Sequence, residues 1–171
     1  MKTIAMIMAL GLAMSGPMRP ISNEYVLIHG NVQEIQLTSD DIEDAQAVRC
    51  IVYREGEIYV AFKTDESGDY LFNLPVGYDY ELVFGGDDYV NKRITMDVTN
   101  LPAEKKGVTF KCDMRVFKAN PEIKQLSVFD DPVAKFNYDK RTRKVLPDLE
   151  YLDEHSWDVE KAMKKIAKQM K

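Results

Sequence analysis

The sequence predicts a mainly β protein: a seven-stranded antiparallel sandwich, followed by a C-terminal extension that ends in one amphipathic helix. Three observations carry this expectation. Apolar and polar residues alternate over short runs from Tyr25 to Phe117, which is the period of a half-buried strand. Gly, Pro and Asp punctuate those runs at the spacing a sandwich needs. After Phe117 the alternation gives way to loop-rich chain and then to apolar residues at helical spacing.

The clearest stretch is Thr64–Phe84. A turn at Glu66–Asp69 leads into a strand with Tyr70, Phe72 and Leu74 on one face, and Pro75-Val76-Gly77 turns it into a second with Tyr80, Leu82 and Phe84 aligned. Ahead of it, Tyr25–Val32 points Val26, Ile28 and Val32 inward, with Gly30 marking a bulge or a close backbone approach. Ala47–Tyr53 aligns Val48, Cys50 and Val52, and Ile58–Lys63 follows across a turn. Val90–Val98 aligns Ile94, Met96 and Val98, and Val108–Val116 sets Val108, Phe110, Cys112, Met114 and Val116 against Thr109, Lys111, Asp113 and Arg115. Thr38–Asp44 reads as an acidic loop. Its Asp40, Asp41, Glu43 and Asp44 offer oxygens for calcium, yet lack the spacing and turn glycine of an EF-hand, so a calcium site and a solvated loop both stay open.

The residues Thr64-Asp65, Gly68, Tyr70, Phe72, Leu74-Pro75, Gly77, Tyr80 and Leu82 resemble the hairpin of the carboxypeptidase regulatory-like domain family. The resemblance covers about Tyr25–Phe117 and implies a prealbumin-like sandwich of seven strands. It also implies an accessory domain of secreted or surface proteins, which holds neighbours or binds partners without catalysing. The chain from Lys118 on is similar to exported proteins of Bacteroidetes-type bacteria.

At 171 residues the chain is one domain's worth, with an ordinary globular balance of 45% hydrophobic and 30% charged residues. A net charge of −5 gives nucleic-acid binding no electrostatic footprint. The charge is divided: residues 16–106 carry a net −9 and residues 107–171 a net +3. Met1–Ser15 reads as a signal peptide, with Lys2 before the apolar run Ile4–Met14 and small residues ahead of Gly16. Export to the periplasm or the cell surface is therefore expected.

In the extension, Lys135–Tyr138 and Lys144–Leu146 can pair as a small hairpin across a basic turn. Ser156 reads as the N-cap of a helix over 156–170, with acidic residues early and lysines late, as the helix dipole favours. Val159, Ala162, Met163, Ile166 and Met170 form its apolar stripe, and Trp157 at its start is either a lid on the sandwich or an interfacial anchor. The stripe can dock on its own domain or meet a partner, and Trp157, Val159, Met163, Ile166 and Met170 are the candidate contacts.

Catalytic patterns are not found. His29 and His155 have no metal-ligand spacing, and no phosphate loop or nucleophile elbow occurs, so no enzyme activity and no cofactor are expected. Cys50 and Cys112 both sit on inward strand positions of an exported chain; a disulfide and a pair of buried thiols both remain open. The expected function is a non-catalytic accessory or adaptor domain that binds or spaces a protein partner in the cell envelope. The alternative is a carbohydrate-binding module, which requires Tyr25, Tyr53, Tyr59, Tyr78 and Tyr89 to supply a flat row of exposed rings.

Overall fold

The computed structural model describes residues 25–37, 39, 41–86, 88–102, 108–118 and 127–169. The signal-peptide reading of residues 1–15, Asp40 of the acidic loop, and Met170 lie outside them. The described strands are β1 (Tyr25–Ile35), β2 (Ile42–Asp44), β3 (Arg49–Arg54), β4 (Glu57–Lys63), β5 (Asp69–Pro75), β6 (Asp79–Gly86), β7 (Tyr89–Asp97), β8 (Val108–Lys111), β9 (Met114–Val116), β10 (Ala134–Asp139) and β11 (Lys144–Pro147), and the helix α1 (Leu149–Gln169) follows.

These strands make two sheets, as a β-sandwich requires. In the first, β1 pairs antiparallel with β5 and β2 and parallel with β8 and β9. The second runs β11-β10-β7-β6-β3-β4. The apolar alternation decides the layering. Val26, Ile28 and Val32 of β1 face Cys50, Val52, Leu82, Phe84, Ile94 and Met96 of the second sheet in one continuous core.

Three expectations are corrected. The strand count exceeds seven, and not every pairing is antiparallel: β1 pairs parallel with β8 and β9, and β7 with β10. The expected strand Val108–Val116 is interrupted at Cys112-Asp113, where it passes Gly30. A Cβ on Gly30 would lie 2.0 Å from the Cys112 carbonyl oxygen, so only glycine admits this close approach. There Cys112 N donates to the His29 carbonyl at 2.9 Å, and Asn31 N donates to Asp113 Oδ1 at 3.1 Å. The acidic loop, expected to be irregular, contains β2, because Ile42–Asp44 finds free backbone partners at Gln33–Ile35 of β1.

The organising hairpin owes its sequence to specific bonds. Thr64 is buried; its Oγ1 accepts from Val48 N and donates to the Ala45 carbonyl, both at 3.1 Å. Asp65 Oδ1 accepts from Ser67 N at 2.9 Å and Asp69 N at 2.8 Å, which shapes the turn. Gly68 sits at φ +78°, close under the Val32 carbonyl, a position that a side chain would strain. Tyr70 donates its hydroxyl to the Cys112 carbonyl and Tyr80 donates to the Pro75 carbonyl, so each buried ring finds an acceptor for its polar end.

The expected small hairpin of the extension is present as β10 and β11, with Asp139 Oδ1 accepting from Arg141 N and Thr142 N in its turn. It is built into the second sheet through β7. The helix begins seven residues earlier than the Ser156 start expected from sequence. Asp148 is its cap: Oδ1 accepts from Tyr151 N at 3.1 Å, and its carbonyl accepts from Leu152 N at 3.0 Å. Ser156 lies inside the helix and its hydroxyl donates back to the Asp153 carbonyl.

Candidate partner-binding surface

Helix α1 has 21 residues, a length of about 30 Å. Its inner face closes a second, smaller core in which Ile166 and Ala162 meet Phe117 and Phe129. The two phenylalanine rings pack edge to face, 5.7 Å between centroids. Val159 and Met163 are half-buried against the same cluster. Near the start of the helix, Tyr151 donates to the Pro132 carbonyl at 2.5 Å, carries Lys135 4.0 Å from its ring centroid, and stacks on His155.

The five candidate contacts therefore separate. Ile166, with Val159 and Met163 beside it, is spent on docking the helix to its own sandwich, and Met170 lies outside the described residues. Trp157 falls on the opposite side of the helix and is 64% exposed, so it is not a lid. At about 100° per residue, Glu150, Asp153, Glu154, Trp157, Lys161, Lys164, Lys165 and Lys168 share roughly 120° of the helix circumference. All eight are exposed. Lys161 Nζ lies 4.8 Å from the indole centroid, and Lys164 pairs with Glu160. The outer face is thus acidic in its first half, basic in its second, and has an uncovered tryptophan between. A groove of about 960 Å³ runs along its edge, lined by Trp157, Lys161 and Lys165 from the helix and by Ser127, Val128 and Asp131 opposite.

Elsewhere the polar groups are largely satisfied from within. A cleft of about 610 Å³ beside the Gly30 crossing holds Asn31, whose Nδ2 donates to the Ser67 carbonyl and to Asp69 Oδ1. Its neighbour Asp113 is held below the usual carboxylate range by Lys111, 2.7 Å away, and by Asn31 N. Across β6 and β7, Asp79 and Asp97 stand directly opposite one another. Partial burial and the Asp97 carboxylate push Asp79 up, while Thr99, donating to Asp97 Oδ1 from both its hydroxyl and its backbone N–H, holds Asp97 down. Among the described residues, no group of three or more His, Cys, Asp or Glu is placed to hold a metal ion.

The groups with the largest shifts are moved toward their neutral forms. Cys50 of β3 and Cys112, in the break between β8 and β9, are buried free thiols; burial pushes both up, Cys112 to about 11, and the nearby Cys112 adds to the effect on Cys50. Burial likewise raises Tyr70 and Tyr80. Lys92, on the inward face of β7, is 6% exposed and is pushed down to about 8, by burial first and by Arg115 second. Its Nζ lies 5.1 Å from the Phe117 ring centroid.

The tyrosines do not make a flat row. Tyr59 and Tyr78 each meet the Tyr80 ring edge-on, at 63° and 66°, and the Arg54 guanidinium lies 4.6 Å from both. Tyr89 donates its hydroxyl to Glu34 at 3.0 Å, and Tyr25 stands on the other sheet. No described helix is long and apolar enough to cross a membrane.

No protein-family model matches the chain, and no curated protein matches it. Among solved structures it is similar to the TIE protein of Bacillus anthracis, with 21% identity over 55% of this chain and 18% of that one, at a TM-score of 0.39. It is also similar to the minor pilin GBS52 of Streptococcus agalactiae, with 14% identity over 60% of this chain and 48% of that one, at 0.40. A third is 5-hydroxyisourate hydrolase of Klebsiella pneumoniae, with 11% identity over 56% of this chain and 99% of that one, at 0.35. The chain spans less than half the length of the first two. The strand pairing itself establishes the sandwich, and the carboxypeptidase regulatory-like resemblance stands on its hairpin residues alone.

Proposed function

We propose that this chain is a non-catalytic accessory domain of the cell envelope, exported and docked to a protein partner through the outer face of α1. The observation that carries the reading is the position of Trp157: a large apolar ring, 64% exposed, on a face whose charges change sign along its length. Tryptophan flanked by charge is a frequent anchor of protein interfaces, and among the described residues Trp157 packs against no part of either core. The non-catalytic reading is supported by the direction of the titration shifts, since buried neutral thiols and phenols make poor nucleophiles and bases. The scattered, internally engaged tyrosines favour a protein partner over a sugar.

The test is to fractionate native cells and crosslink the full chain and its Trp157→Ala variant in the envelope. The expected result is a specific envelope protein crosslinked to the full chain and lost from the variant. Identical crosslinking patterns would remove α1 as the contact, and a chain recovered in the cytoplasm would remove the export reading.

A further inference from the structure

We infer that the outer face of α1 pairs with the same face of a second copy, antiparallel, in a two-fold symmetric dimer. The inference rests on the reading that this face is a binding surface, and it names the occupant. Its basis is the order of the charges within that roughly 120° arc: Glu150, Asp153 and Glu154, then Trp157, then Lys161, Lys164, Lys165 and Lys168. The exposed Asp158 and Glu160 lie just beyond its two edges, and Glu160 is paired with Lys164 of its own helix. A two-fold axis crossing the helix at the level of Val159 reverses the chain direction and keeps each flank of the face against the same flank of its copy. In that register Glu150 meets the partner's Lys168, Asp153 meets the partner's Lys164, and Glu154 meets the partner's Lys165. Trp157 meets the stem of the partner's Lys161, so the two indoles lie near the axis. Each of these contacts occurs twice, and all of them join opposite charges or a cation with a ring.

The helix dipole accounts for Glu150 in the first turn and Lys168 in the last. It falls off within a turn and does not sort Asp153, Glu154, Lys164 and Lys165 by sign across the middle of the helix. Nor does it place a tryptophan outward. An anionic surface suits the face less well, because the acidic half would be repelled by the surface that the lysines seek. A second copy satisfies both halves at once.

The experiment is sedimentation of the mature full chain over a range of concentration and salt, with three variants. Wild type is expected to form a dimer that weakens as salt rises, because its contacts are exposed ion pairs. The variants D153K/E154K and K164E/K165E each set like charges opposite one another and are expected to self-associate at least about tenfold more weakly. Mixed together they are complementary at every contact, so the mixture recovers a heterodimer that neither forms alone. The substituted residues are exposed, and unchanged circular dichroism confirms that the variants fold. Trp157→Ala is expected to weaken the wild-type dimer without altering its salt dependence.

A wild-type chain that stays monomeric at all concentrations overturns the pairing, as does a mixture that fails to associate. If the chain is monomeric but its envelope crosslink still requires Trp157, the second copy is excluded and the binding face stands. If neither dimer nor crosslink depends on the face, both readings fall.

Discussion

The molecule has two apolar cores of very different kind. The main one is enclosed between two sheets, continuous across both, and wired by the buried hydroxyls of Thr64, Tyr70 and Tyr80 to backbone groups. The second has, among the described residues, the buried Phe117, Phe129, Ala162 and Ile166, and holds α1 against the sandwich edge. The difference shows which part of the fold is structural and which is available. The sheets bury the inward residues of β1, β3, β6 and β7, whereas the helix commits one face to docking and presents an ordered charged face with Trp157 to solvent.

The sharpest way to separate the two cores is to make an equal cut in each. Phe84→Ala in the main core, where Phe84 is fully buried against Tyr70, is expected to cost about 3–5 kcal/mol of global stability, read from denaturant unfolding. Ile166→Ala, also fully buried, is expected to cost about 2–4 kcal/mol, and the loss belongs to helix docking. Hydrogen exchange distinguishes them: the first change should expose β1 and β6 amides along with the rest, the second should speed exchange in α1 and leave those strands protected. Equal loss of protection everywhere in both variants would mean that the helix and sandwich unfold as one unit.

A smaller effect lies where the cores meet. Lys92 packs beside Phe117 of the second core with its ammonium largely withdrawn from water. Its folded-state value of about 8 lies below the ordinary lysine value, so the unfolded chain binds the proton more tightly. Lys92 should therefore contribute stability that rises with pH from about 8 to about 10. The raised thiols of Cys50 and Cys112 and phenols of Tyr70 and Tyr80 impose an opposing loss as the unfolded chain ionises, so the share of Lys92 is read as the difference between wild type and a Lys92 variant. Lys92→Met should remove that contribution and stabilise the protein at pH 7 by about 2 kcal/mol. A wild-type-minus-variant difference in the midpoint of unfolding that stays constant from about pH 8 to about pH 10 contradicts the burial of this charge.

Much of the sandwich was legible because strand alternation is local. Val26, Ile28 and Val32, or Ile94, Met96 and Val98, declare their inward face by spacing alone, and Gly30 marked a bulge or a close approach, of which the Cys112 carbonyl makes the second. The pairings were not legible. Nothing near Ala134–Asp139 says that it joins β7 in parallel, since that contact is decided by which backbone edge is left free after the other strands have paired. The helix start was missed because Leu149, Tyr151, Leu152 and His155 were not set in phase with the stripe that begins at Val159. Asp148, placed just after Pro147, was the available signal. The outward tryptophan was also available. Trp157 lies two residues before Val159 and nine before Ile166, about half a turn from the stripe in both cases, so it cannot share the docked face.

Trp157 is the single tryptophan of the chain, so its fluorescence reports on the orientation of α1 without ambiguity. The measurement is its emission and acrylamide quenching in the folded chain, at low protein concentration and high salt so that copies are kept apart. With the inner face of α1 docked and the outer face free, emission should be that of a water-exposed indole, quenching should approach that of the unfolded chain, and unfolding should leave the emission maximum almost unchanged. A blue-shifted, quencher-protected signal that moves to the red on unfolding would place the indole beneath the sandwich and contradict the account.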